Sequence, residues 1–206
     1  QIADKLTRGR FVETLDRIFA RTPGAEGKAF TATHERLIRL PFCGFVTTNY
    51  DLCLSEARSE VLGIHHPPPF LWQSDQVARW SELIRQSAPP ILHAHGMHGE
   101  RESLVLTASS YREAYRNGRW ATRFAELWRG GQFVFVGFGF SDPWIGFLAD
   151  RAVTEAGVRE VTGPGHVGIF GVERAELGVA HLKRSRLERK YHTNVLLYPI
   201  DNGDHE

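Results

Sequence analysis

Cysteine is scarce. Only Cys43 and Cys53 occur in 206 residues, one inside an apolar run and one in a predicted helix. That number excludes a disulfide framework, and the spacing offers no metal-ligand pattern, so no metal is expected and a reducing cytoplasm fits best. Long hydrophobic runs are missing too. No apolar stretch approaches the roughly 18 residues that span a bilayer, and the polar, charged opening over residues 1–10 has no signal-like character. Nor does charge of one sign dominate: 25 Lys plus Arg stand against 24 Asp plus Glu, a formal net charge of +1, which exerts no global pull toward nucleic acid or an anionic membrane. With 42% hydrophobic residues the chain can bury its own core, and 1–206 reads as one globular domain. It opens with Gln and runs straight into a helical pattern, which reads as part of a longer protein with an upstream segment.

Two amphipathic helices come first, through Ile2 to Phe19 and, after the Thr22-Pro23-Gly24 break, through Leu37 and Leu40. The short apolar run from Phe42 to Thr47 is the pattern of a strand buried on both faces, and it stops at Thr48-Asn49-Tyr50-Asp51. Asp51 suits the cap of a short helix through Leu54 and Ala57. The stretch from Gly63 to Trp72, with its three prolines, reads as an irregular insertion. Further strands are predicted over Pro90 to Ala94, Ser103 to Leu106, Gln132 to Val136, His166 to Val172 and Thr193 to Ile200, with helices from about Ser109, after Pro143, and from Glu173 to Lys190. Buried strands alternating with amphipathic helices imply an α/β, Rossmann-like fold with a mostly parallel, doubly wound sheet.

In such a sheet ligands bind outside the carboxyl ends of the strands. Three polar or glycine-rich clusters directly follow predicted strands, so Asn49, His95 and the loop from Gly137 to Asp142 are expected at one edge. The Gly137-Phe138-Gly139 turn, followed by Ser141, Asp142 and a helix, could let backbone N–H groups cradle a phosphate; it could equally be a tight turn with its helix caps. Asn49 has the donor and acceptor groups to hold ribose hydroxyls and a water, or it closes an Asx-turn. An imidazole at the end of the second strand suits proton transfer near neutral pH. Alternation sends His93 and His95 to the same face, and spacing does not choose between them. The aromatic and basic stretch from Tyr111 to Trp128 reads as an amphipathic helix pair with a solvated basic face rather than a nucleic-acid surface.

In order and spacing, Thr47-Thr48-Asn49-Tyr50-Asp51, His95-Gly96 and Gly137-Phe138-Gly139-Phe140-Ser141-Asp142-Pro143 together resemble the bacterial sirtuin-like domains of antiphage defence. Leu104 to Thr107 leading to Ser110-Tyr111, and the terminal Asp204-His205-Glu206, agree with this. The resemblance runs from about Leu37 onward and implies NAD+ as substrate. By it, Asn49 serves the nicotinamide ribose and His95, which alone directly precedes Gly, is the general base. Thr48, Asp51, Gly137, Phe138, Gly139, Ser141 and Asp142 would then contact the dinucleotide.

The family's first strand ends in a Gly-Ala-Gly phosphate loop that this chain lacks, so the first strand is expected upstream. Protein-deacylating sirtuins carry a four-cysteine zinc module after the Asn turn, where this chain has only Cys53, which favours plain NAD+ hydrolysis over deacylation or ADP-ribosyl transfer. A sensor that binds NAD+ or ADP-ribose without hydrolysing it is the non-enzymatic alternative. The resemblance further implies abortive infection by NAD+ depletion. It implies a homo-oligomer or an assembly with a short Argonaute, a DNA-translocase ATPase or a nucleotide-sensing domain, with nucleic acid bound elsewhere.

Overall fold

The computed structural model describes residues 8–19, 28–63, 68–85, 88–116, 118–138, 142–155, 165–191 and 193–201. The chain divides into two compact units, Gln1–Trp120 and Ala121–Glu206. Each holds a three-stranded, all-parallel sheet with intervening helices, the mixed α/β architecture expected of a Rossmann-like chain.

In the first unit, α1 (Arg8–Phe19) and α2 (Ala32–Arg39) precede β1 (Phe45–Thr47), which leads through the Asn49 turn into α3 (Cys53–Leu62). Gly63 ends α3 in the left-handed region (φ 61°), its N–H donating to the Ser59 carbonyl. Then come β2 (Phe70–Leu71), α4 (Trp80–Leu83), β3 (Ile91–His93) and α5 (Ala108–Arg116). Strand order is β1-β3-β2, so β3 is paired on both sides, and Ile91, Leu92 and His93 are all buried. That is the apolar strand covered on both faces that its sequence predicts. Beside β1, Phe30, Ile38 and Ala57 form a core cluster from α2, α3 and the segment before them, with Phe45, Cys53 and Leu54 packed against it.

Two expectations are corrected here. Residues 103–106 form no strand: a 3-10 turn at Arg101–Ser103 gives way to irregular chain. Val105 donates its N–H to the His95 carbonyl and its own carbonyl accepts the Tyr50 hydroxyl, so its backbone groups are satisfied outside any ladder. The proline-rich insertion, read as irregular, contains β2, which pairs Phe70 with Leu92 and Leu71 with His93.

The second unit has β4 (Val134–Val136), α7 (Pro143–Glu155), β5 (His166–Glu173), α8 (Leu177–Tyr191) and β6 (Thr193–Ile200), in the order β4-β5-β6. The helix α6 (Gly118–Gly130) runs into it, and with α5 supplies the predicted helix pair, Arg112, Arg116 and Arg119 exposed and Tyr115, Trp120 and Trp128 buried. Trp128 meets His166 edge-on at 4.2 Å between ring centroids, and the Nδ1 of His166 accepts the Phe133 N–H at 3.2 Å. Along β6 the start alternates, Thr193 and Val195 buried, Asn194 and Leu196 exposed, as for a strand covered on one face.

Because Ile91 is fully buried in the doubly paired strand, Ile91→Ala is expected to destabilise the protein by about 3 kcal/mol through lost burial and a residual cavity. Chemical denaturation that leaves the midpoint unmoved would place β3 outside the cooperative core.

Candidate functional site

The register of the first sheet builds the site. Thr47 pairs with His93 across parallel strands, and the Ala94 N–H continues the ladder to the Thr47 carbonyl at 2.8 Å. Asn49 and His95 therefore each lie two residues beyond a matched pair, on neighbouring strands, at the carboxyl edge where α/β sheets take ligands. Asn49 is exposed, and Thr48 and Asp51 are half-buried. His95 is buried at 4% exposure.

Main-chain bonds hold the Asn turn. The Asn49 N–H donates to Thr47 Oγ1 at 3.1 Å, and the Asn49 carbonyl sits 3.1 Å from His93 Nδ1. A carbonyl only accepts, so His93 carries its proton on Nδ1. Asp51 Oδ1 accepts the Cys53 N–H at 3.0 Å, which is the capping role its position suggests, one residue before the geometric N-cap Leu52. Across the turn the His98 N–H reaches the Tyr50 carbonyl at 2.7 Å, and the Tyr50 hydroxyl reaches the Val105 carbonyl at 2.8 Å. The Asn turn and the chain beyond His95 are thus laced together.

His95 Nε2 lies 2.5 Å from the Tyr115 hydroxyl. Its ring meets Tyr111 and Tyr115 edge-on at 5.3 and 6.0 Å, and those two tyrosines stack on each other. A buried imidazole hydrogen-bonded to a phenol in low dielectric is a competent proton-transfer pair. Neither tyrosine was marked as a site residue by the sequence. Their spacing of four, which puts both on one face of α5, is the signal that could have found them.

Gly96 explains why a glycine must follow. Its φ is 89°, and a Cβ there would lie 2.3 Å from the Ser103 carbonyl oxygen. That oxygen is pinned by the Trp72 indole N–H at 3.0 Å, while Ser103 Oγ accepts the Met97 N–H and donates to the Glu100 carbonyl. The chain doubles back tightly enough that only a hydrogen fits.

In the second unit, Gly137 follows β4 directly, exposed, with φ 64°. Among the described residues none lies within 4 Å of where its Cβ would be, and the left-handed backbone calls for glycine there. The Phe138 ring packs against Phe135 at 5.8 Å. Asp142 Oδ1 accepts the Ile145 N–H at 3.1 Å, capping α7 behind Pro143. Gly139 and Ser141 lie outside the described residues, as does the Asp204-His205-Glu206 tail.

Burial holds the pKa of His93 below its usual 6.5, with its contact to the Asn49 carbonyl acting weakly the other way. Burial likewise lowers His34, opposed by Asp51. The Cys53 thiol is pushed up to about 12, first by burial and then by the neighbouring Asp51 carboxylate.

Gly96→Ala is expected to cost more than about 2 kcal/mol, since the left-handed backbone and the clash with Ser103 act together; thermal unfolding checks it. His93 makes a pH signature. Its folded pKa is depressed, so the unfolded chain binds the extra proton first: the stability it contributes is complete above 6.5 and is lost as pH falls below that value toward the folded pKa. Denaturation midpoints should fall between pH 7 and pH 5, and His93→Asn, which keeps a donor for the Asn49 carbonyl without titrating, should flatten that slope. An unchanged slope in the variant would assign the acid sensitivity elsewhere.

A search of curated proteins finds no match. The model of the SIR2-like domain family matches residues 44–196, from the residue before β1 into β6, and so takes in the Asn49 turn, His95-Gly96 and the Gly137 turn. The chain belongs to the SIR2-like domain family, a family of NAD-utilising enzymes.

Proposed function

We propose that the chain is an NAD+ glycohydrolase, cleaving the bond between nicotinamide and ribose to give nicotinamide and ADP-ribose with water as acceptor. The observation that carries this reading is the placement of Asn49 and His95 at equivalent positions past the Thr47 and His93 pair, on one sheet edge. Asn49, whose side chain is exposed, would position the ribose and the attacking water. His95 would take a proton from a ribose hydroxyl as positive charge develops at the anomeric carbon, its ring oriented by Tyr115. Thr48 and Asp51 flank the nicotinamide ribose in this scheme. Within the second unit, Gly137, Phe138, Gly139, Ser141 and Asp142 are read as dinucleotide-contacting from the family resemblance, Gly137 offering its backbone N–H in a left-handed turn.

Hydrolysis rather than deacylation is favoured because the chain has two cysteines and cannot build the four-cysteine module of deacylating sirtuins. In its cellular setting the activity would deplete cytoplasmic NAD+ during phage infection. A homo-oligomer or a partner (short Argonaute, DNA-translocase ATPase or nucleotide-sensing domain) would switch it on.

Asn49→Ala should lower nicotinamide release by at least about 100-fold, measured with the intact protein and its trigger, and leave the unfolding temperature unchanged, because the side chain is exposed. His95→Ala should match that loss of activity but also cost about 2 kcal/mol of stability, since its buried ring packs against Tyr111 and Tyr115. Full turnover in a folded Asn49→Ala protein would defeat the assignment.

A further inference from the structure

His34 on α2, Asp51 in the turn after β1 and Cys53 at the first position of α3 bring an imidazole nitrogen, a carboxylate oxygen and a sulfur within 4.8 Å of one another, all three residues half-buried. The sequence spacing hides this group, because the packing of α2 on α3 brings His34 to the other two. We propose that His34, Asp51 and Cys53 form a three-ligand site for a zinc-like divalent cation, which clamps α2 to the start of α3 and to the Asn49 turn. The site goes beyond the NAD+ reading and does not depend on it.

Ligand type selects the ion. Thiolate with imidazole and one carboxylate suits zinc or cobalt(II), whereas magnesium and calcium want oxygen alone. Tetrahedral coordination at about 2.0–2.3 Å puts ligand atoms roughly 3.3–3.8 Å apart, so the three atoms need close by no more than about 1.5 Å, a matter of side-chain torsions. Their supports are already in place. Asp51 Oδ1 takes the Cys53 N–H at 3.0 Å, which leaves the second carboxylate oxygen for the ion. His34 Nδ1 is engaged by Thr31, its hydroxyl at 2.8 Å and its N–H at 3.3 Å, so Nε2 is the nitrogen available. Coordination at Nε2 moves the ring proton to Nδ1, where the Thr31 hydroxyl accepts it and replaces the longer bond that the Thr31 N–H now donates there, the outer support that metal-bound histidines generally have. The Cys53 thiol, which now donates to the Ala29 carbonyl at 3.1 Å, gives up its proton to solvent as the sulfur–metal bond forms. Three protein ligands leave a fourth position for water or another small donor.

The test is cobalt(II) titration of the intact, chelator-treated protein. One equivalent should develop a thiolate-to-cobalt charge-transfer band together with the visible bands of tetrahedral cobalt, and zinc should displace it. Saturating zinc should raise the unfolding temperature by about 5 °C. Cys43→Ser should keep the band and Cys53→Ser should lose it. His34→Gln, close in size, should weaken binding at least tenfold. The idea is overturned if the unmodified protein shows neither band nor one-equivalent binding by calorimetry at micromolar cobalt, or if binding persists unchanged in both Cys53→Ser and His34→Gln. The unmodified protein suffices to decide if a variant does not fold.

Discussion

The parallel pairing of β1 with β3 is the constraint on which the described site depends. Backbone hydrogen bonds between strands are individually modest, but they set register, and a slip of one residue would turn every side chain of the strand to the opposite face. With Thr47 opposite His93, the chain leaves the sheet at matched heights on two neighbouring strands, and the polar residues that follow start from the same sheet edge. The burial of β3 on both faces is what makes that register costly to lose. Side chains then reinforce it across the gap, His93 to the Asn49 carbonyl and Tyr50 to the Val105 carbonyl.

Much of this was legible in the residue pattern because short apolar runs that end in polar or glycine-rich clusters have few structural solutions. β1, β3, β4, β5 and β6 lie within a residue or three of the expected limits. What escaped was structure whose cause lies elsewhere in the chain. β2 is two residues long and owes its form to hydrogen-bonding partners in β3, not to any alternation of its own. The run from Ser103 to Leu106 has strand-like composition, yet the Val105 backbone groups are claimed by His95 and Tyr50 and those of Ser103 and Leu106 by Glu100, Trp72 and Ser110, so tertiary bonding overrides propensity. The cluster of His34, Asp51 and Cys53 is of the same kind, assembled by helix packing that no local spacing announces.

Histidines 93 and 95 show where pattern reasoning stops and environment takes over. Alternation treats them alike, and both are buried. Their partners differ. His93 donates to a backbone carbonyl and is held below its usual pKa by burial, the profile of a neutral ring that braces the Asn turn. His95 meets a phenol through Nε2, a partner able to give or take a proton, beside a glycine whose backbone no other residue could follow. The difference between the two rings is written in those hydrogen bonds rather than in the sequence order.

Val105 has a quiet role with a broader consequence. Its amide is bound to the His95 carbonyl and its own carbonyl to the Tyr50 hydroxyl, so one peptide unit on each side of a single apolar residue stitches both arms of the site. The connection between β3 and α5 consequently behaves as a fixed-length splice instead of a tolerant surface loop. Gain or loss of one residue there would oblige both arms to readjust together, so the length of this segment, more than its composition, is what holds them in place.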